Sequence, residues 1–445
     1  MKRFMELLLI VLFTIETQRS SAAPISWTQF QGDARHTGHI AKYVAPDSIS
    51  HKWTATKSDL NNLGLRNGAG TGAVTDGSHV YVTGYIGKNG LYTSWKVYAL
   101  NAATGTIDWS QGVTAWLRDV SAPVVGNGMV YVHQTGHSGA GQHEDYPRLT
   151  GLSAATGAVV FSTEHASQGV GLIRPTVAGT QVFAEGGYTG GLDSYNSITG
   201  AKQWFAGLPQ QHDWIPAVDD DNVYGYMGPA GTWLGGLWAI NRTTGARSFT
   251  IQDPADTFTL YRGSVVLGGQ NDALAFERLG VLASFDLSTR SVRWRASGGY
   301  EESLAVDDGI LFVRSGSNVS LLRESDGAQL STWSAPAALT SNILVSENLI
   351  FAGTNSTTYA IDRATLQTVW STPIGGDLAL GDGMLLISNN NGVTAFSAVP
   401  EPSGYTLLMI GGSLIGWTAR HRVFRRSSAV ESNYASRIVP AKTRT

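Results

Sequence analysis

Side chains able to do chemistry are sparse in this chain of 445 residues, and they gather in three places. Residues 133–148 hold His133, His137 and His143 with Glu144 and Asp145, so three of the ten histidines lie beside two carboxylates. Imidazole and carboxylate together suit a divalent transition metal. Their spacing follows no tight ligand motif, and the Gly-Ser-Ala filler is ordinary loop composition, so the stretch reads as a solvated loop with five candidate ligands. His212 and Asp213 have the types of an acid–base dyad, but residues 208–214 read as a polar connection. Asp219, Asp220, Asp221 and Asn222 make an acidic turn, where a calcium ion would need further oxygen ligands from elsewhere. No Walker loop or dinucleotide fingerprint occurs.

The elements that must position these groups come from a repeat. Residues 97–109 read as a strand, a Thr-Gly turn and a second strand ending on Trp109. The frame recurs at 149–161 with Phe161, at 192–204 with Trp204 and at 237–249 with Phe249. Weaker copies end on Trp294, Trp333 and Trp370. Successive anchors lie 52, 43, 45, 45, 39 and 37 residues apart, and only strand signals fall between them. That period indicates propeller blades rather than a helical solenoid. A second signature, an apolar strand, a polar turn and an apolar strand, occurs eight times, with second strands near Val80, Val130, Val182, Val223, Val265, Ile310, Leu349 and Leu385. Seven of these have an anchor behind them. The eighth runs into Phe396 and stops, while an unpaired anchor, Trp53, waits near the N-terminus. The expectation is an all-β, eight-bladed β-propeller of four-stranded antiparallel blades, whose last outer strand comes from the N-terminal segment and removes an open edge. The anchor aromatics are expected to pack between blades.

This pattern resembles the quinoprotein (PQQ-like) β-propeller repeat, an apolar strand followed by Ala-Leu-Asp-Ala-x-Thr-Gly-x-x-x-Trp, over about residues 27–398. Residues 27–38 also look like the opening segment of that family. Resemblance implies two functional classes. The preferred one is a non-catalytic surface or matrix propeller with no cofactor, binding a protein or a polysaccharide. The alternative is a periplasmic alcohol or sugar oxidoreductase with pyrroloquinoline quinone and calcium in the central funnel. Enzymes of that kind use a vicinal Cys-Cys pair, a Glu/Asn/Asp calcium set and a catalytic Asp; this chain has no cysteine, and none of the acidic set maps onto it. The assembly lipoproteins of the outer membrane, a third kind of relative, carry an N-terminal lipidated Cys; it is missing here, which excludes them on this reading.

The two ends read as addresses. Lys2 and Arg3 precede the apolar run 7–15, and Ser20, Ser21 and Ala22 offer a cleavage site before Ala23, as in a secretory signal peptide over 1–22. The propeller then occupies 23–399. At the other end Pro400, Glu401 and Pro402 precede the apolar run 404–419 and the basic group Arg420, Arg422, Arg425 and Arg426. Residues 400–426 resemble the PEP-CTERM sorting signal of Gram-negative bacteria, with 427–445 a disordered tail beyond the usual end of that pattern. Resemblance implies transient anchoring in the inner membrane, cutting near Pro400 by an exosortase-type enzyme, and release to the cell surface or matrix; a permanent tail anchor is the other reading. The arginines would stay on the cytoplasmic side. Residues 1–22 hold three basic and two acidic side chains and 400–445 hold seven and two, which leaves 21 basic and 30 acidic between them, a net of −9. An acidic body argues against a nucleic-acid partner.

Overall fold

Five of the repeats turn on an Asn or Asp whose side chain caps the chain reversal; Ser153 and Arg323 stand at that place in blades 2 and 6. Asn101 Oδ1 accepts the backbone N–H of Ala103 at 3.0 Å and of Thr104 at 3.3 Å, and Asn196, Asn241, Asp286 and Asp362 hold their turns in the same way. Such Asx turns are why a short polar side chain stands at this place in the repeat. The computed structural model describes residues 26–398, apart from 62–71, 117–118, 137–145, 166–173, 187–189, 210–213, 228–234 and 257–263. The expectations for the signal peptide and the sorting segment lie outside the described residues. Among the described residues no helix is long and apolar enough to cross a membrane.

The strands form eight four-stranded antiparallel blades, written here from the channel outward. Blade 1 is Val74–Thr75, His79–Asn89, Tyr92–Asn101 and Ile107–Trp116. Blade 2 is Val124–Gly126, Met129–Gln134, Arg148–Ser153 and Val159–Glu164. Blade 3 is Thr176–Ala178, Gln181–Glu185, Leu192–Asn196 and Lys202–Ala206. Blade 4 is Ala217–Val218, Asn222–Tyr226, Gly235–Asn241 and Arg247–Asp253. Blade 5 is Val266–Leu267, Asp272–Glu277, Val281–Asp286 and Ser291–Ser297. Blade 6 is Glu301–Asp307, Ile310–Ser315, Asn318–Arg323 and Gln329–Ser334. Blade 7 is Leu344–Ser346, Leu349–Gly353, Thr358–Asp362 and Thr368–Thr372, with His39–Ile40 added parallel to its inner strand.

Blade 8 is Asp377–Gly381, Met384–Asn389, Gly392–Ser397 and, as its outer strand, Ser50–Thr56. Trp53 stands opposite Ala395 and His51 opposite Phe396, so the N-terminal segment closes the ring. The core is a set of inter-blade seams; Trp53, Val80, Leu344, Phe351, Leu385 and Phe396, for example, belong to one cluster running from blade 7 through blade 8 to blade 1.

Three expectations need correction. Val265 does not lie in the second strand of its hairpin, because the turn falls at Gly268–Asn271 and the second strand starts at Asp272. Residues 84–95, whose Gly-rich composition reads as an inserted extension within the first blade, do not form a loop. They lengthen the second and third strands of blade 1 into one long hairpin, held because Tyr85 and Trp95 meet edge to face at 5.2 Å on its inner side. Trp333 has slipped along its strand. Ala99, Ser194, Ser284 and Ala360 stand opposite Trp109, Trp204, Trp294 and Trp370, but the matching Leu321 faces Ser331. A shift of two residues keeps Trp333 on the inward face of its strand, since side chains alternate with period two.

The anchors do the same job in most blades. The indole N–H of Trp53 donates to Ala102 O at 3.0 Å, that of Trp109 to Ala154 O at 2.9 Å, that of Trp204 to Arg242 O at 3.0 Å and that of Trp294 to Glu324 O at 2.8 Å, each in the next blade. The ring then lies on the glycine of that blade's turn. A Cβ on Gly157 would come within 2.4 Å of Trp109, and its φ of +71° is one that L side chains rarely adopt, so only glycine serves. Phe161 packs on Gly200 in the same place without a hydrogen bond to give. Phe249 carries Arg290 over its face at 4.7 Å, Trp370 meets Phe396 edge to face at 5.3 Å, and Trp333 donates to Thr368 Oγ1 at 3.2 Å instead of to a carbonyl.

Candidate functional site

The inner strands leave one row of backbone N–H groups facing the channel, and buried donors must be paired. Residues 27–38 meet that demand by running round the channel wall. Carbonyls of Trp27, Thr28, Ala34, Arg35, Thr37 and Gly38 accept the N–H of Thr75, Val125, Val218, Leu267, Val306 and Val345, at 2.7 to 2.9 Å, in blades 1, 2, 4, 5, 6 and 7. The Gln29 amide serves blade 3, accepting Val177 N–H at 2.9 Å and donating to Val177 O at 3.1 Å. In blade 8 the Cα of Gly381 lies against the backbone of Ser26 and Trp27. All eight blades are therefore tied to one segment. His36 is fully buried in it; Nδ1 sits 2.8 Å from Val265 O, its ring meets Phe30 edge to face at 5.0 Å, and burial pushes its pKa down to about 4.

Connections from second to third strand, and from blade to blade, all emerge on one face, which we call the loop face. Beneath it, between blades 2 and 3, lies a buried polar cluster. His165 follows the outer strand of blade 2 and turns inward, with Nδ1 2.8 Å from Asp193 Oδ2 and Nε2 2.5 Å from Glu185 O. Both nitrogens therefore stand within hydrogen-bond distance of an oxygen. Lys202 Nζ reaches Asp193 Oδ1 at 2.6 Å from the rim, and the Tyr195 hydroxyl lies 3.0 Å from His165 Nδ1. Burial works against the Asp193 charge, but the hydrogen bonds and charges of His165 and Lys202 outweigh it and hold the carboxyl below its usual range. His133, in the second strand of blade 2, stands edge-on to His165 at 5.2 Å, and neither of its nitrogens has a partner. Burial, then the charge of His165, depress its pKa well below the ordinary value.

His133 lies inside a strand, fully buried, while His137, His143, Glu144 and Asp145 lie outside the described residues. So do His212 and Asp213. Asp219 is a turn cap: its Oδ1 accepts the N–H of Asp221 and Asn222, and its Oδ2 accepts the Tyr224 hydroxyl at 2.8 Å. Among the described residues no three His, Asp or Glu side chains converge as a cation site. The sequence reading missed Asp193 and His165. The available signal was a carboxylate in a third strand, between Leu192 and Ser194, where burial of an unpaired charge would be very costly.

A quinone with its calcium would sit on the axis and would need several oxygen ligands for the ion. Arg174, ahead of the inner strand of blade 3, reaches across to Gly72 of blade 1, lies 5.8 Å over the Phe30 ring and is attracted by Asp377 of blade 8. One guanidinium and one carboxylate offset each other there. The described channel residues do not fit a calcium–quinone pair.

No curated protein sequence matches this chain. Solved structures similar to it include a europium-containing methanol dehydrogenase, with TM-score 0.62, 14% identity, 85% of this chain and 92% of that one covered. A quinohemoprotein alcohol dehydrogenase from Comamonas testosteroni gives TM-score 0.61, 13% identity, and 85% and 82% coverage. BamB from Moraxella catarrhalis gives TM-score 0.54, 16% identity, and 79% and 98% coverage. At such identities the likeness is one of fold. A family model described as outer membrane protein assembly factor BamB matches residues 37–213, 140–330 and 278–395. Lack of cysteine therefore does not exclude kinship with the assembly propellers, because the residues that the family model matches lie in the blades. The chain belongs to the PQQ-like repeat family of the outer membrane protein assembly factor BamB.

Proposed function

We propose that the protein is an exported, non-catalytic propeller that binds a protein or polysaccharide at the cell surface or in the matrix, with its loop face as the binding surface. The observation that carries this reading is the fate of the groups able to do chemistry. Beneath the loop face His165 spends both nitrogens on Asp193 and Glu185 O, and Asp193 is fully buried between His165 and Lys202. A general base must reach a substrate proton; these groups reach only one another and fasten blade 2 to blade 3. A family named for an assembly factor agrees with a binding role. Sorting by the C-terminal segment, cutting near Pro400 and the signal peptide belong to the same reading.

The test is to titrate the purified full chain with pyrroloquinoline quinone and calcium, assay dye-linked alcohol and sugar oxidation, and in parallel measure co-sedimentation with the native exopolysaccharide and capture of matrix proteins. Expected are no stoichiometric quinone binding, no turnover, and retention on one of the surface partners. Stoichiometric quinone binding with turnover would establish the oxidoreductase instead.

A further inference from the structure

Blade 5 differs from the other blades in what holds its two sides. On the side of blade 6, Asp272 and Glu324 are both fully buried, and both carboxyl groups press on the Cα of Gly268, where a Cβ would be 2.2 Å from Asp272 Oδ1 and 2.4 Å from Glu324 Oε1. Asp272 Oδ2 accepts the Ser284 hydroxyl at 2.8 Å and Glu324 Oε1 the Gln270 N–H at 3.0 Å, while Asp272 Oδ1 and Glu324 Oε2 have no other partner. On the side of blade 4, Asp253 and Glu277 close on each other around Arg295, whose Nε donates to Glu277 Oε1 at 2.8 Å and whose Nη2 contacts Asp253. Tyr226 bonds Asp256 at 2.9 Å and lies 3.4 Å from Asp253 Oδ2, so its hydroxyl stands between two carboxyl groups.

We propose that blade 5 is clamped on both sides by carboxyl pairs that each share one proton, and that it is the part of the propeller that loosens as the surroundings pass from acidic to neutral. Two buried carboxylates in contact cannot both stay ionised cheaply. The cations available do not remove the need for the proton. At the blade 6 side Arg293 stands 3.9 Å from Asp272 and is bound more closely to Asp286 at 2.8 Å, Arg35 is spent on Gly268 O at 2.7 Å, and Arg323 is paired with Asp326 at 2.7 Å. At the blade 4 side Arg295 is shared by Asp253 and Glu277, with Asp256 held by Tyr226. Burial and then Asp253 push Glu277 up from 4.5 to about 8; burial and then the charge of Asp272 push Glu324 up from 4.5 to about 7. A raised carboxyl keeps its proton in the folded state and surrenders it when the seam opens. The clamps are therefore intact at low pH and weaken as pH rises from 4.5 towards 7 and 8.

Hydrogen exchange of the full chain at a series of pH values, corrected for the intrinsic rate, reads this directly. The opening constant of blade 5 should rise about tenfold per pH unit between roughly pH 5 and 7 for each clamp that opens, and about a hundredfold where both open together, with blades 2 and 7 changing far less. Replacing both Glu277→Gln and Glu324→Gln supplies a neutral donor at every pH and should flatten that slope. Equal pH dependence in all blades, or an unchanged slope in the double variant, would overturn the proposal. The comparison among blades of the wild-type chain decides even where the double variant fails to fold.

Discussion

Replacing Trp109 tests whether the repeat is held by one contact made again and again. The indole gives two things to blade 2: a hydrogen bond of 2.9 Å to Ala154 O and a ring face against Gly157. Trp109→Phe removes the first and keeps most of the second. It should cost about 1 kcal/mol, the net worth of one hydrogen bond. Trp109→Ala removes both and should cost about 3 kcal/mol, the low end for a large aromatic, since this ring is only half-buried. Gly157→Ala attacks the contact from the other side. Its Cβ would lie 2.4 Å from the ring at a φ of +71°. The left-handed backbone costs about 1 kcal/mol and the clash about 1–3 kcal/mol more. In the double variant Trp109→Ala with Gly157→Ala the clash has nothing to strike, so the pair should cost less than the sum by about 1–3 kcal/mol. Urea unfolding of the four proteins measures this cycle. Strict additivity, or a Trp109→Phe as damaging as Trp109→Ala, would refute the shared contact.

Asp193→Ala should cost about 3–5 kcal/mol in the same assay, because it leaves His165 buried without its counter-charge, while Lys202→Ala at the rim should cost under about 1 kcal/mol. Because the Asp193 carboxyl is held below its ordinary 3.8, its contribution is complete above that pH and is lost as pH falls through the lower folded value; acid melts of Asp193→Asn should lack that part of the decline. Deleting residues 26–38 should leave inner-strand N–H groups of seven blades without acceptors and give a chain that is expanded by size exclusion and readily cut by protease. Intact-mass measurement on native material should find a mature chain from about Ala23 to about Pro402, and changing Arg420, Arg422, Arg425 and Arg426 to Asn should leave it unprocessed.

Blade number and ring closure were legible because they are written in side chains: turn caps, glycines and aromatic anchors at a repeating interval. Trp53 and Phe396 could be matched across almost the whole chain on that basis alone. Channel lining by residues 27–38 was not legible, since its bonds to the inner strands come mostly from carbonyls that every residue owns. His165, Asp193 and Lys202 sit on separate strands and meet only when two blades pack, so no local spacing announces them. The slipped Trp333 shows a further reason. A strand face tolerates a step of two residues, and the sequence interval blurs while the packing survives.

The segment at the channel wall has a consequence for the order in which the chain can be finished. Gln31 donates to Ile343 O at 3.2 Å, a contact between residues 312 positions apart. The segment synthesised first must wait, unseated, until the last blades have followed it. Non-local closure of this kind makes completion slow and late. It also makes completion strict: a chain stopped before blade 8 offers its own beginning neither a full circle of donors nor the strand beside which Trp53 lies. Partial products would stay open and exposed to proteolysis, and only a full-length polypeptide could lock its first residues into place.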